Sequence, residues 1–235
     1  MFSLESQPQA YTEKHEKMLE KHSSIVVEMV KNLSSKKFEQ LGKGNVGEVM
    51  SAGKSHKVCL KFVSPETVSE DVLANSLKRE ADLQDKIHSL NIEGVKVPKP
   101  YWTMSMESEE GKIIQVFAME TINGASIHDV FNNEGVDLPD NFNLQEFISK
   151  LSNFVREINE RNIYHKDLHY GNVMVDFETG DPVVIDFGKA TETFASENPY
   201  RDQVLPNGEV RYQRDETWVR EIGENLGAYL TNKKK

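Results

Sequence analysis

Cysteine is nearly absent: Cys59 is the only one in 235 residues, so no intramolecular disulfide can form and no cysteine-built zinc site can be assembled. Long apolar runs are missing as well. The most apolar stretch, residues 113–119, falls far short of the roughly 18 residues that a membrane-spanning helix requires, and no such span is expected. Residues 1–10 are polar and lack the apolar core of a secretory signal, so the expected location is cytoplasmic. Cations are in deficit, with 28 Lys+Arg against 38 Asp+Glu and a net charge of −10, which disfavours nucleic acid as the main partner. What is present suits a globular chain: 37% hydrophobic and 28% charged residues are enough for a substantial core, in one large domain or two small lobes.

Residues 1–10 read as a mobile end, and residues 11–33, with Leu19, Ile25, Val26, Met29, Val30 and Leu33 mostly three or four apart, read as a helical extension. Residues 38–63 alternate glycines with β-prone runs and read as strands and turns. A helix is expected over 69–89, then an extended segment at 95–101, where Pro98 and Pro100 forbid helix. A hairpin around 107–112 leads into β-prone residues 113–119, and 122–124 reads as a turn. Over 143–162 the apolar residues Leu144, Phe147, Ile148, Leu151, Phe154, Val155 and Ile158 define a one-faced buried helix. Two short strands, 172–177 and 183–185, follow around a turn at 178–181. Residues 190–214 show little periodicity and read as a long loop, and a last helix spans 215–230.

Gly42, Gly44 and Gly47 fit G-x-G-x-x-G, where absent side chains let backbone close over phosphates. The pattern is weak alone. Lys61 lies in the run 58–63, on the same strand face as Cys59 and Val63. Nineteen residues later Glu80 falls on one helix face with Leu73, Leu77, Leu83 and Ile87. A carboxylate in an apolar stripe calls for a cation, and Lys61 is the natural candidate. Such a pair behind a glycine loop would hold an ammonium group towards nucleotide phosphates.

The most specific segment is His165-Lys166-Asp167-Leu168-His169-Tyr170-Gly171-Asn172, followed nineteen residues after Asp167 by Asp186-Phe187-Gly188. Here the chain resembles the protein-kinase-like superfamily over about 38–230, with glycine loop, Lys61, Glu80, catalytic loop and Asp-Phe-Gly in the family's order. The resemblance implies an α+β, bilobal fold with a small antiparallel-sheet N-lobe and a shortened helical C-lobe. Residues 1–36 would be a partly helical extension, 37–118 the N-lobe, and 119–235 the hinge and reduced C-lobe. It implies ATP and Mg2+ as cofactors. Asp167 would receive the hydroxyl proton, Asn172 and Asp186 would hold metal, and Lys61, oriented by Glu80, would position phosphates. Residues 117–124 are similar to the connector that binds adenine: Met119 would be the gatekeeper, backbone groups of Glu120 and Ile122 would pair with the base, and Val49 and Cys59 would line its site.

The pattern also departs from the commonest kinases. Lys166 replaces the usual arginine and no Ala-Pro-Glu follows Asp186, so activation by loop phosphorylation is not expected, and ordering by a protein partner fits better. His169 stands where Ser/Thr kinases usually carry a phosphate-contacting lysine; it either reaches the transferring phosphate or serves as a structural histidine. Asp-Leu-His-x-Gly-Asn resembles small-molecule phosphotransferases of the aminoglycoside kind, whereas the short segment after Gly188 resembles the compact effector kinases that bacterial pathogens deliver into host cells, the OspG-like type. Asp215 and its surroundings are similar to the helix start whose aspartate braces the catalytic loop. The expected activity is γ-phosphate transfer from ATP to a protein Ser/Thr hydroxyl, with a host protein as a substrate and delivery without a signal peptide. A small-molecule phosphotransferase and a kinase-fold binding protein or ATPase stand as alternatives.

Overall fold

The computed structural model describes residues 9–10, 40–43, 48–51, 57–63, 76–107, 113–133, 135–193 and 214–233. The expected helix over 11–33, Gly44 and Gly47, and most of the loop at 190–214 lie outside them. The chain divides into two compact units, the first comprising residues 1–85 and 98–122 and the second 86–97 and 123–235. The sequence reading instead places 86–97 with the first lobe and begins the second at 119. The backbone shows what ties 86–97 to the second unit: Lys96 N–H donates to Pro182 at 3.0 Å and Val184 N–H donates back to Lys96 at 2.9 Å.

The first unit is built on a six-stranded antiparallel sheet. Its strands are β1 (Gln9–Ala10), β2 (Gln40–Lys43), β3 (Glu48–Ser51), β4 (Val58–Val63), β5 (Pro100–Glu107) and β6 (Ile113–Glu120), in the order β1-β5-β6-β4-β3-β2. β4 is buried along its whole length, which is why its sequence runs almost unbroken in apolar residues instead of alternating. On one face Cys59 lies opposite Met119, Lys61 opposite Phe117 and Val49, and Val63 opposite Gln115. Leu60 and Phe62 point to the other face, opposite Ala118 and Val116. Gln9–Ala10 correct the expectation of a mobile end at that point: they pair with Thr103 and Trp102 of β5, whose outer backbone groups would otherwise lack a ladder partner. Helix α1 (Ser76–Ser89) follows β4 in sequence.

The second unit is mainly helical. Helix α3 (Leu144–Asn159) buries Phe147, Leu151, Phe154, Val155 and Ile158, the face its spacing defines. Its N-terminus is capped by Asn143, whose side-chain oxygen accepts from the N–H groups of Gln145 and Glu146 at 3.0 and 3.2 Å. Helix α4 (Asp215–Lys233) packs against it and buries Val219, Ile222 and Leu226. Gly223 faces Ile148 so closely that a Cβ would come within 3.3 Å of it. Short elements complete the unit: β7 (Gly124–Ser126), α2 (Ile127–Asn132), β8 (Ile163–Tyr164), β9 (Val173–Asp176), β10 (Pro182–Val184) and β11 (Thr191–Glu192). They form a sheet β10-β9-β7 and a pair β11-β8. β11 corrects the loop expected from residue 190 onward, since Thr191 and Glu192 pair with Tyr164 and Ile163. At Gly124 a Cβ would meet the Val175 carbonyl oxygen at 2.2 Å, so only glycine lets β7 approach β9.

Candidate active site

In the first unit the site begins with a buried ion pair. Lys61 Nζ donates to both carboxylate oxygens of Glu80, at 2.8 and 2.9 Å, with the two residues 8% and 4% exposed. Desolvating two charges is costly unless geometry is tight, and here one ammonium spans both oxygens. Helix α1 is held in place by two glutamines that the sequence reading did not single out. Gln115 of β6 accepts the Leu77 N–H in the first turn of α1 at 3.1 Å, and Gln84 donates from the helix to the Pro98 carbonyl at 2.7 Å. The available signal was polarity out of place, a glutamine inside the apolar run of β6.

Val49, Cys59, Lys61 and Met119 all fall on this face of the sheet, and Cys59 and Met119 pack in one cluster with Val63, Leu77, Ala81 and Phe117, with Val49 against it. These are the apolar positions expected to line a nucleobase. At the end of β6, Glu120 N–H donates to the Lys99 carbonyl at 2.9 Å, and the Glu120 carbonyl is the group the sequence reading sets against a base. That oxygen lies 3.6 Å from the Cys59 thiol. Ile122 N–H meets no acceptor among the described residues. Gly42 lies in β2 opposite Val49.

Burial pushes the Cys59 thiol up to about 11. At pH 8 the folded chain should therefore hold about a hundredfold less thiolate than the unfolded one, and iodoacetamide should label Cys59 rapidly only after denaturation. A thiol whose pKa is raised on folding stabilises the native state fully below its unfolded pKa and loses that contribution as pH rises towards 11. Equal labelling rates in native and denaturing buffer at pH 8 would contradict this environment.

In the second unit the loop between β8 and β9 is cross-braced. Asp215, fully buried at the start of α4, accepts the N–H groups of His165 and Lys166 at 2.8 and 2.9 Å. The His165 ring, also fully buried, hydrogen-bonds the Ile185 carbonyl through Nε2 at 3.1 Å and packs on Phe187, with ring centroids 5.0 Å apart. Its Nδ1 has no hydrogen-bond partner among the described residues, so Nε2 carries the proton. Lys166 and Asp186 both take left-handed backbone angles, φ 65° and 60°. For non-glycine residues this is costly and persists only where surrounding bonds fix the backbone.

Asn172 Nδ2 donates to the Asp167 carbonyl at 2.8 Å, with Asp167 Oδ2 at 3.4 Å. Ile185 N–H donates to the Asn172 carbonyl at 3.0 Å, which brings the backbones carrying Asn172 and Asp186 side by side. With its nitrogen committed, Asn172 offers its amide oxygen, and Asp186 offers a carboxylate whose Oδ1 accepts Gly188 N–H at 3.2 Å. A carboxylate and an amide oxygen on adjoining backbones fit a hard divalent cation such as Mg2+, which takes oxygen ligands and retains water or phosphate in the remaining positions.

His169 is turned into its own loop. Nδ1 accepts Gly171 N–H at 3.0 Å, Nε2 lies 3.7 Å from Asp167 Oδ2, and the ring stands edge-on to Trp218 at 6.0 Å. Burial lowers its pKa, with the Asp167 charge opposing the shift. A Cβ at Gly171 would meet the ring at 2.9 Å, so the His-x-Gly pair is a local turn. Trp218, Tyr170 and Asn225, none of them singled out in the sequence, lock α4 to the same loop: Tyr170 and Trp218 rings meet at 6.2 Å and Asn225 donates to the Tyr170 hydroxyl at 2.7 Å.

The profile of one family, described as the protein kinase domain, matches residues 35–210. No curated protein matches the chain.

Proposed function

The chain belongs to the protein kinase domain family, and on that premise we propose that it transfers the γ-phosphate of ATP, with Mg2+, to a serine or threonine hydroxyl of a protein. The observation that carries this reading is the tied set Asp167, Asn172 and Asp186, in which a carboxylate is fixed beside two oxygen donors suited to a divalent cation. Bound Mg2+ would supply Lewis-acid stabilisation of charge on the phosphates. Asn172 and Asp186 hold that cation. Lys61, kept in place by Glu80, donates to the phosphates of the nucleotide, and Gly42, Gly44 and Gly47 provide backbone free to close over them. Val49, Cys59 and Met119 contact the adenine, which pairs with the carbonyl of Glu120 and the N–H of Ile122. Asp167 accepts the hydroxyl proton as the acceptor oxygen bonds to phosphorus.

Because His169 and Gly171 form a local turn, the pattern they share with small-molecule phosphotransferases does not itself select a small acceptor. The resemblance to compact effector kinases extends the proposal to a host protein as substrate, and the missing Ala-Pro-Glu after Asp186 extends it to an activating protein partner. The test is transfer of labelled γ-phosphate from ATP with Mg2+ to the protein itself, to generic protein substrates and to eukaryotic cell lysate, comparing wild type with Asp186→Ala. Label in protein bands that the variant fails to produce is the expected result. Label that enters only small molecules, or equal labelling by the variant, would overturn it.

A further inference from the structure

We propose that Lys189 supplies the cation of the catalytic loop, holding Asp167 with one N–H and donating another to the phosphoryl group in transit; the assignment rests on the phosphotransfer reading above. Lys189 Nζ lies 3.0 Å from Asp167 Oδ1. The other carboxylate oxygen, Oδ2, faces Asn172 Nδ2 at 3.4 Å and His169 Nε2 at 3.7 Å, so the lysine makes the closest of these side-chain contacts to the carboxylate. His169 cannot take the same part in this arrangement, since Nδ1 is spent on Gly171 within the loop.

An exposed ion pair is ordinarily of little consequence, because long side chains lose entropy in forming it. Lys189 differs in how its backbone is held. Phe187 and Ala190 on either side are 1% and 2% exposed, Ala190 N–H donates to the Phe187 carbonyl at 3.0 Å, and Thr191 is already paired with Tyr164. The lysine thus projects from a clamped turn, its side chain 65% exposed. An ammonium has three donors, and one spent on Asp167 leaves two on a largely exposed side chain. A hydroxyl that delivers its proton to Asp167 must bring its oxygen, and the phosphorus it attacks, next to that carboxylate.

In the step itself, the bond from acceptor oxygen to γ-phosphorus forms while the bond from γ-phosphorus to the ADP oxygen breaks. The electron pair of the broken bond leaves on ADP, the hydroxyl proton passes to Asp167, and Lys189 keeps all its protons while offsetting charge on the phosphoryl oxygens.

Two measurements on the full chain test this with wild type, K189A and K189R. In steady-state transfer, K189A should lower kcat about a hundredfold, the size of losing one preorganised donor to transition-state charge, while KM for ATP stays within about threefold; K189R should recover part of kcat. In thermal denaturation, Mg-ADP should raise the midpoint of wild type and K189A alike. Adding fluoroaluminate, which mimics the phosphoryl group in transfer, should raise it further in wild type and K189R but not in K189A. A K189A protein that keeps wild-type kcat and the fluoroaluminate increment would overturn the assignment while leaving the phosphotransfer reading intact. A wild-type protein that neither transfers phosphate nor responds to Mg-ADP would end that reading, and this assignment with it.

Discussion

Glu80→Ala should lower the stability of the protein by about 3–5 kcal/mol, the cost of removing one partner from a buried ion pair. The carboxylate and the ammonium it holds are 4% and 8% exposed, and both oxygens engage Lys61 Nζ. Helix α1 keeps its other attachments in the variant, through Gln115 to Leu77 and Gln84 to Pro98. The loss therefore falls on the buried Lys61 charge, which loses the Glu80 carboxylate. Lys61→Met combined with Glu80→Leu separates stability from function. Replacing both charges by apolar groups removes the desolvation penalty and should restore most of the stability, yet phosphate transfer should be lost in both proteins, because Glu80→Ala leaves the Lys61 ammonium without the carboxylate that positions it and the double variant has no ammonium there at all. Urea denaturation and labelled transfer on the same preparations check this. A Glu80→Ala protein within about 1 kcal/mol of wild type would place the pair among solvated ones, which contribute little.

That pair was legible in the sequence because a carboxylate between Leu77 and Leu83 violates the apolar stripe it sits in, and a violation of pattern points to a partner. The loop from His165 to Asn172 was legible for a different reason: its residue types are rare in combination and keep a fixed spacing to Asp186. Long periodic elements were also readable, as α3 and α4 show, with ends displaced by only a few residues. What escaped was short or held by one long-range bond. β1 and β11 have two residues each, too few for any periodicity, and exist because a neighbouring strand offers open backbone groups. Gln115 and Gln84 carry no local sign of the groups they bind, 38 and 14 residues away. Lys189 reads as an ordinary surface lysine until the fold brings Asp167 within 3.0 Å, across 22 residues of sequence. The same holds for residues 86–97, whose tie to Pro182 and Val184 is made by backbone and leaves no mark on side-chain pattern.

Asp215→Ala should be nearly as damaging to stability as the loss of Glu80, and more damaging to the loop. Its carboxylate is fully buried and is the acceptor for two consecutive N–H groups, those of His165 and Lys166. A buried donor left without a partner costs about 1–3 kcal/mol, so the pair sets an expected loss of about 2–6 kcal/mol. Lys166 stands at φ 65°, a conformation that costs about 1–3 kcal/mol in a non-glycine residue and lasts only while its neighbours enforce it. Without Asp215 the backbone can relax away from that angle, and Asp167, the next residue, moves with it. Misplacing a reacting group by about 1 Å costs about a hundredfold in rate, so transfer should fall at least that far even at temperatures where the variant remains folded. Asp215→Asn should lie between the two, since its single amide oxygen can serve one N–H well while its NH2 group opposes the other. The two readouts divide the outcomes: a lowered melting temperature with normal kcat in the folded variant would mean that His165 on Ile185 and Asn172 on Asp167 hold the loop by themselves, and that the aspartate at the head of α4 serves only the fold.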